Sequence, residues 1–441
     1  MKQVVQSYRN RKVRVIDSPE PNLLGEGIIV RNSFSVISPG TERRTTEIGK
    51  KSLLGKAIAR PDLARQVINT AKRYGPIQTY QMVKGRLNQS LPMGYSSAGI
   101  VVESNCPEFG VGDRVACAGG GYANHAEVVY VPKNLAAKIP DNVGLDNAAF
   151  GTLGAIALQG VRQSEVTIGD KVLVVGLGLI GMLTLQILRS SGCVAYGIDL
   201  DQRAVDLAIT LGFNASTIGP ANKSHEISTT FTNSMGFDVA LITASTQSNE
   251  PVELAGKSLR DRGRTVVLGD VRVDIPRDLF YYKELDVRFS RSYGPGRYDA
   301  TYEEKGIDYP LGYVRWTEKR NLEAFLHLLS TGSVEISALV SHRIPIQEAI
   351  QAYDLISDQN SRRAVGILFT YANADLYHRH RKITLQTVSA HPGKSVRVAL
   401  IGAGNFSKNF LLPELKRHKD VELVAVVTGS GLTSQQAAVQ Y

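Results

Sequence analysis

Three glycines in the run KVLVVGLGLIGMLTLQIL have the spacing that lets a strand turn directly into a helix. Gly176, Gly178 and Gly181 form a G-x-G-x-x-G pattern between a buried-strand run and an apolar helical run. The first glycine permits a tight turn, the second removes the Cβ atom that would block a pyrophosphate, and the third lets helix and strand pack closely. The helix begins at Leu179 and Ile180 and directs its free N–H groups at the phosphates. The pattern predicts a dinucleotide-binding turn.

An acidic residue follows this turn at the distance that dinucleotide binding requires. Asp199 closes the strand-like run CVAYGID, 18 residues after Gly181. At the tip of the second strand its carboxylate can accept hydrogen bonds from both ribose hydroxyls and would repel a 2′-phosphate. We therefore expect NAD as the cofactor. Arg203 lies close enough in the sequence to leave NADP possible, and Asp201 could share the ribose.

The elements that must position this motif alternate from residue 146 to residue 290. The runs KVLVVG, VAYGID, DVALIT and TVVLGD are typical of strands, and helix-length amphipathic segments separate them. This order predicts an α/β fold with a doubly wound parallel sheet. Residues 1–145 instead contain short strand-like runs closed by Pro or Gly, which is typical of a small barrel. After Pro61 the pattern becomes helical, and one face of that helix is expected to pack on the core through Leu63, Val67, Ala71 and Tyr74.

The composition predicts a globular protein of at least two domains. The chain has 441 residues, of which 43% are hydrophobic and 21% are charged. Cys106, Cys117 and Cys193 show neither CxxC nor Cys/His spacing, so we expect three small buried apolar residues and no disulfide framework. No run resembles a membrane span or the apolar core of a secretory signal, so we expect a cytoplasmic protein.

The net charge of +10 is concentrated in one segment. Residues 43–86 contain eleven Lys and Arg residues but only two acids, Glu47 and Asp62. This segment is either a solvated basic helix pair or a surface that attracts an anionic substrate, such as a phosphorylated or nucleotide-linked sugar. Because the rest of the chain is nearly neutral, any surface that binds a polyanion would have to be this segment. We expect a small-molecule substrate and no nucleic-acid partner.

The runs GYSSAGIVVE, GDRV, GGYANHAEVV and KVLVVGLGLIG resemble the medium-chain dehydrogenase/reductase superfamily. The resemblance implies a GroES-like barrel in residues 1–145 with a basic helical insert at 43–90. It further implies an inserted Rossmann domain at 146–290 and a return to the barrel at 291–371. Residues 372–395 are polar and basic and are predicted to be a linker. Superfamily members commonly form dimers or tetramers through the Rossmann sheet edge, which implies a possible homo-oligomer.

The zinc alcohol dehydrogenases of this superfamily hold a catalytic metal at positions that match Ser38, Tyr95 and Thr152. None of these is a competent zinc ligand in that setting, so the resemblance implies a zinc-free enzyme. Another group must then polarise the carbonyl and exchange the proton. The Tyr95 hydroxyl is a candidate, with packing as the alternative role. Glu42 in GTERR and His125 in YANHAE are further acid/base candidates, with structural roles as the alternative.

The stretch from Ser290 to Trp316 is rich in tyrosine. It could form one wall of a sugar pocket, in which aromatic faces stack on the sugar and Arg297, Asp299 or Arg315 bind hydroxyls or phosphate. The alternative is a long packed loop that joins two domains.

A second glycine turn lies in VRVALIGAGNF, residues 396–406. Gly402 and Gly404 match the fingerprint, but Ser407 replaces the third glycine and the second strand ends without an acid. The run resembles the start of the Gfo/Idh/MocA family, and the tandem order resembles bacterial bi-domain oxidoreductases. Because one βαβ beginning cannot bury its own faces, we expect residues 396–441 to be the front of a longer domain, with fluctuating or borrowed packing.

These features favour an NAD-dependent oxidoreductase that interconverts an alcohol and a ketone or aldehyde on a sugar or nucleotide sugar. The resemblance to enzymes of polysaccharide metabolism supplies the substrate class. Two alternatives stay open: an NADPH-dependent quinone or enone reductase, and a non-catalytic scaffold that senses a nucleotide or binds a polyanion.

Overall fold

The computed structural model describes residues 1–8, 10, 12–40, 42, 61–76, 79, 83, 89–218, 229–357, 365–372, 381–385, 396–418 and 420–441. Most of the basic insert 43–90 and most of the linker 372–395 lie outside the described residues, so the expectations for both stay predictions.

The strands of the described chain are β1 (Lys2–Ser7), β2 (Val13–Asp17), β3 (Gly27–Ile37), β4 (Ser90–Pro92), β5 (Ser96–Ser104), β6 (Arg114–Ala118), β7 (Val128–Pro132), β8 (Ala136–Lys138), β9 (Lys171–Val175), β10 (Val194–Asp199), β11 (Asn214–Thr217), β12 (Phe237–Ile242), β13 (Leu259–Val267), β14 (Asp286–Phe289), β15 (Val340–Pro345), β16 (Gly366–Thr370), β17 (Val396–Ile401) and β18 (Val421–Val427). Its α-helices are α1 (Pro61–Tyr74), α2 (Leu145–Ala148), α3 (Gly151–Ser164), α4 (Leu179–Ser190), α5 (Gln202–Thr210), α6 (Glu250–Ser258), α7 (Arg277–Tyr282), α8 (Ala300–Glu303), α9 (Glu318–Ser330), α10 (Ala349–Ser357), α11 (Leu412–Arg417) and α12 (Gly431–Gln440). Short 3₁₀ turns cover Lys133–Leu135, Ser337–Leu339 and Ile346–Glu348, and a π turn covers Ser407–Leu411.

The six-stranded sheet is parallel and has the order β11-β10-β9-β12-β13-β14. Strands β9 and β12 at its centre are almost entirely buried, as expected of a sheet covered on both faces. The α/β fold class is confirmed. The edge strands β11 and β14 are missing from the sequence prediction, because NAST and DVRF are short, half-buried and lack an apolar run.

The barrel strands form a seven-stranded sheet with the order β15-β16-β3-β5-β6-β8, in which β7 also pairs with β3, and a three-stranded sheet β2-β1-β4. Strand β16 lies after the parallel sheet in the chain but pairs antiparallel with β3, which lies before it. The chain therefore leaves this sheet, builds the parallel sheet and returns. This pairing brings residues that precede the parallel sheet in the chain into contact with residues that follow it.

Helix α3 packs against α9 and against the barrel, and its own residues are nearly all buried. Gly154 is required at this contact, because a Cβ atom on it would lie 2.2 Å from the Phe325 ring. The three cysteines are buried and free, which confirms their expected role as small core residues. The expected core-facing stripe of α1 is wrong at Val67, whose surface is 43% exposed. A four-residue period identifies a helix face, but it does not supply a neighbouring element to cover it.

Residues 396–441 contain a parallel pair, β17 and β18, with a small core of Leu400, Ala403, Leu412 and Ala437. This unit contacts the start of the chain: the Asn22 N–H donates to the Gly429 carbonyl at 3.1 Å, and the Gln436 amide donates to the Ser90 carbonyl at 2.8 Å. Ile401 at the end of β17 is 86% exposed. The expected strand, glycine turn, helix and second strand are all present. Their fluctuating or borrowed packing stays a prediction.

Candidate functional site

The glycine turn joins β9 to α4 at the carboxyl edge of the parallel sheet. Gly176 has a φ of +100°, and a Cβ atom on it would lie 2.7 Å from the Ala244 nitrogen. A Cβ atom on Gly181 would lie 2.0 Å from the Gly176 carbonyl oxygen, so strand and helix are in backbone contact. Around Gly178, by contrast, a Cβ atom would meet no described atom within 4 Å. The first and third glycines are therefore required by the fold itself, whereas the second leaves open space.

Helix α4 begins directly at this open space. Gly178 is its N-cap, no side chain caps the first turn, and Leu179 and Ile180 follow as its first residues. Uncapped N–H groups at a helix N-terminus carry a partial positive charge and bind anionic groups. The residues present here fit a pyrophosphate.

Asp199 at the end of β10 is fixed beside the same turn. Its carboxylate accepts hydrogen bonds from the Leu177 N–H at 2.6 Å and the Asp201 N–H at 2.8 Å. Arg203, which could contact a 2′-phosphate, is paired with another group: its guanidinium forms two hydrogen bonds with the Asp201 carboxylate, at 3.0 and 2.8 Å. Asp201 also caps α5 by accepting from the Arg203 N–H. The predicted cofactor residues thus lie together, with Arg203 neutralised by an acid rather than directed at a ribose.

Two of the predicted acid/base residues form one buried pair. The His125 Nε2 atom lies 3.4 Å from the Glu42 carboxylate, and both side chains are nearly inaccessible to solvent. The His125 Nδ1 atom lies 2.7 Å from the Ser35 hydroxyl, which in turn lies 2.6 Å from the Tyr371 hydroxyl. Because Ser35 is in β3 and Tyr371 directly follows β16, the strand pairing described above assembles this network.

The second carboxylate oxygen of Glu42 accepts a hydrogen bond from the Tyr353 hydroxyl of α10. Burial, and then the neighbouring Glu42 carboxylate, raise the pKa of Tyr353 well above its usual range. Tyr353 is thus a permanent donor to Glu42. The sequence reasoning missed Ser35, Tyr353 and Tyr371, since two of them come from the return segment and no spacing links them to Glu42.

Tyr95 lies between this network and the start of α3. It is half-buried at the barrel core, and its carbonyl accepts hydrogen bonds from the Gly119 N–H at 3.0 Å and the Thr152 hydroxyl at 3.2 Å. The preceding Gly94 lies against His125, since a Cβ atom there would be 2.7 Å from its ring. The structure therefore brings Tyr95, Thr152 and the Glu42–His125 pair into one region.

This region does not offer a zinc donor set among the described residues. No group of three His, Cys, Asp or Glu side chains that could hold a metal ion occurs in the part of the chain that the structure describes. The Thr152 hydroxyl is directed at the Tyr95 and Cys117 carbonyls, and the Ser38 N–H donates to Glu42 at 3.4 Å. Zinc prefers thiolate, imidazole and carboxylate ligands. The hydroxyls at these three positions do not fit it.

A cavity of about 370 Å³ lies elsewhere, between the start of the chain, β7 and residues 429–432. Tyr122, Tyr130 and Glu304 contribute polar groups to its wall. None of the residues of the glycine turn or of the Glu42–His125 pair lines it. We place the candidate site at the glycine turn and not in this cavity, because the turn carries the chemistry that binds a ligand.

The tyrosine-rich stretch contains a second buried polar cluster. Arg297 donates to Glu303 at 2.6 Å and stacks on the Tyr298 ring, and Asp299 accepts a hydrogen bond from the Tyr309 hydroxyl at 2.6 Å. Glu318 at the start of α9 is 2% exposed, and neither carboxyl oxygen has a hydrogen-bond partner among the described residues. Burial, and then the neighbouring Glu303 carboxylate, raise the pKa of Glu318 to about 9. Arg297 and Asp299 are thus engaged inside the loop, whereas Arg315 is exposed.

No protein-family model matches the chain. D-guloside 3-dehydrogenase from Shigella flexneri is 25% identical over 289 residues, which are 63% of this chain and 77% of that protein. Human sorbitol dehydrogenase is 24% identical over 220 residues, which are 49% of this chain and 55% of that protein.

Solved structures share the fold. Alcohol dehydrogenase TADH from Thermus sp. ATN1 has a TM-score of 0.64 at 18% identity, covering 84% of this chain and 100% of that one. A Sinorhizobium meliloti dehydrogenase bound to NADP has a TM-score of 0.59 at 22% identity over 84% and 98% of the two chains. An Escherichia coli alcohol dehydrogenase complexed with NADH has a TM-score of 0.61 at 16% identity over 84% and 99%. These similar proteins are dehydrogenases, and the solved structures show that this chain shares their fold.

The glycine turn yields a prediction that separates folding from binding. We expect Gly178→Ala to leave the melting temperature unchanged, because the new methyl group enters open space and the φ of −68° suits any residue. The same change should weaken NADH binding more than tenfold by obstructing the pyrophosphate. Gly181→Ala should instead destabilise the fold by about 1–3 kcal/mol through its contact with the Gly176 carbonyl. Thermal unfolding and NADH fluorescence titration measure the two effects. Equal losses of stability in both variants would contradict this assignment.

The buried carboxyl of Glu318 predicts a dependence of stability on pH. Its pKa is about 9 in the folded chain against an ordinary value of 4.5, so the folded state holds a proton that the unfolded state loses between these values. The free energy of unfolding should fall as the pH rises through this window, by up to about 1.4 kcal/mol per unit. Glu318→Gln removes this contribution, so its melting temperature should increasingly exceed that of the wild type from pH 6 to pH 9. Glu348→Gln on the surface is the control, and an identical gain in that variant would refute the prediction.

Proposed function

We propose that this chain is an NAD-dependent oxidoreductase of the medium-chain type that interconverts an alcohol and a ketone or aldehyde without catalytic zinc. The observation that carries the proposal is the open, uncapped glycine turn with Asp199 fixed beside it. Uncapped helix N–H groups and an adjacent carboxylate are complementary to the pyrophosphate and ribose of a dinucleotide.

In this proposal the turn from Gly176 to Gly181 and the N-terminus of α4 hold the pyrophosphate, and Asp199 accepts hydrogen bonds from the ribose hydroxyls. The nicotinamide, when bound, supplies a hydride acceptor or donor. NAD is favoured over NADP because Asp199 repels a 2′-phosphate and because Arg203 is already paired with Asp201.

A protein group must also accept the hydroxyl proton that is released when the alcohol carbon loses a hydride. We assign this task to Tyr95, with the Glu42–His125 pair as the further acid/base candidates. Tyr95 occupies a position of the superfamily's metal site, and its backbone is anchored by Gly119 and Thr152. A phenol there can donate a hydrogen bond to a carbonyl oxygen and accept its proton back in the reverse direction.

The absence of zinc belongs to the same proposal and rests on the hydroxyl-bearing residues at the three metal positions. Because zinc-type names occur among the similar proteins, metal content is a point that needs direct measurement. Tyr95 and the Glu42–His125 pair are proposed to act without a Lewis acid.

A sugar or nucleotide sugar is proposed as the substrate, since the similar proteins include a D-guloside and a sorbitol dehydrogenase. The proposal also includes domain boundaries at 1–145, 146–290 and 291–371, a cytoplasmic location and a homo-oligomer. It further includes a resemblance of residues 396–441 to the Gfo/Idh/MocA family. Among the described residues no helix is long and apolar enough to cross a bilayer.

Hydride transfer tests the proposal. The full chain should oxidise at least one member of a panel of polyols, free sugars and nucleotide sugars with NAD, producing an absorbance at 340 nm. Asp199→Ala should bind NADH at least tenfold more weakly, because the ribose loses its acceptor, while NADPH should bind more tightly, because the charge that repels the 2′-phosphate is removed. Asp206→Ala, an exposed acid of α5, serves as the control. Tighter binding of NADPH than of NADH by the wild type would overturn the NAD assignment and favour the quinone or enone reductase. Binding without turnover on any substrate would favour the non-catalytic scaffold.

The role of Tyr95 gives a separate prediction. Tyr95→Phe should retain NADH affinity and lower kcat at least a hundredfold, because the ring remains while the proton donor is lost. Tyr282→Phe, at a position that is 78% exposed, should leave kcat unchanged. Metal analysis of the active protein should find well under one zinc per chain, and a chelator should not inhibit. A kcat within threefold of the wild type in Tyr95→Phe would assign Tyr95 to packing, and stoichiometric zinc would refute the metal-free mechanism.

A further inference from the structure

We propose that Arg162 and Arg315, stacked on the two faces of Trp316, form a binding site for a phosphate group. The Arg162 guanidinium carbon lies 3.3 Å from the centre of the Trp316 ring, and that of Arg315 lies 3.9 Å from it. Two guanidinium groups this close to one centroid would collide on a single face. They must therefore lie on opposite faces of the indole.

This arrangement places two positive charges close together without a compensating acid. In the part of the chain that the structure describes, no carboxylate forms an ion pair with either arginine. Three neighbouring arginines do form ion pairs with an Asp or Glu: Arg264, Arg288 and Arg320. Burial, and then the charge of Arg315, lower the pKa of Arg162 to about 10, so Arg162 stays protonated at neutral pH. The indole stands between the two guanidinium groups, so an anion can contact both only at the edge of the Trp316 ring, where it would offset their repulsion.

The geometry of Arg162 is fixed in advance of any ligand. Its Nε atom donates to the Asn321 side chain at 2.9 Å, and Asn321 donates to Gln159 and to the Tyr293 carbonyl at 2.9 Å each. Among the described residues the terminal guanidinium nitrogens of Arg162 have no hydrogen-bond acceptor. Arg315 is exposed and forms no hydrogen bond within these residues. Arg162 is thus held in position, whereas the exposed Arg315 side chain can move toward a ligand.

Phosphate suits this site better than a neutral hydroxyl. Guanidinium groups bind phosphate oxygens through paired, charge-assisted hydrogen bonds, which are roughly twice as strong as neutral ones. Arg162 is also held beside the loop that follows the last strand of the parallel sheet, because Asn321 joins it to the Tyr293 carbonyl. The phosphate could belong to a phosphorylated sugar or be inorganic phosphate.

The chain provides its own probe, because Trp316 is its single tryptophan. We expect inorganic phosphate and glucose 6-phosphate, titrated into the full chain, to change the tryptophan emission saturably, whereas NaCl at equal ionic strength does not. In Arg315→Gln the dissociation constant should rise at least tenfold, since one of two charges is lost. Arg277→Gln is the matched control, because that arginine is also exposed and stacked on a single ring, Tyr281.

The outcomes are distinct from those of the hydride-transfer test. NADH affinity should be unchanged in Arg315→Gln, because Arg315 is not part of the glycine turn, so a failed anion site leaves the proposed cofactor site standing. Tighter binding of glucose 6-phosphate than of phosphate would identify an organic phosphate as the ligand, and equal binding would identify inorganic phosphate. No saturable change in emission, or equal affinities in wild type and Arg315→Gln, would overturn the proposal. Thermal unfolding of Arg315→Gln, expected at the wild-type melting temperature, checks that its loss of phosphate binding does not reflect misfolding.

Discussion

The backbone contact between β9 and α4 is the constraint on which the candidate site depends. The Gly176 carbonyl lies where a Cβ atom of Gly181 would otherwise be, and this contact fixes the direction in which α4 leaves the sheet. The helix N-terminus consequently opens at Gly178, directly beside Asp199. A larger residue at either outer glycine would displace the helix end, and the complementarity to a dinucleotide would be lost even though every other residue was retained.

The return of the chain to the barrel supplies the second half of the site. Because β16 pairs with β3, Tyr371 reaches Ser35, and α10 brings Tyr353 to Glu42. The result is a continuous set of hydrogen bonds around His125 in an interior that solvent hardly reaches. Buried polar groups are costly unless they are paired, and here the pairs also fix the orientation of the imidazole.

Much of the fold and the geometry of the glycine turn could be predicted from sequence, because these features depend on local pattern. The runs KVLVVG and VAYGID identify central strands since both faces are buried, and the glycine spacing reflects contacts within a few residues of the turn. The edge strands β11 and β14 were missed, because a short half-buried strand has no apolar run. Val67 was misassigned, because periodicity identifies a face but not its partner.

The sequence by itself determined the α/β class, the position of the glycine turn and the place of Asp199 at the end of the next strand, since each follows from residues close together in the chain. Only the tertiary structure decided that Glu42 and His125 form one unit with Tyr353, that Arg297 is held by Glu303, and that Arg162 shares Trp316 with Arg315. These contacts join residues separated by up to 311 positions, and the free energy that selects them comes from burial and charge pairing in the assembled core. No local spacing encodes such partners.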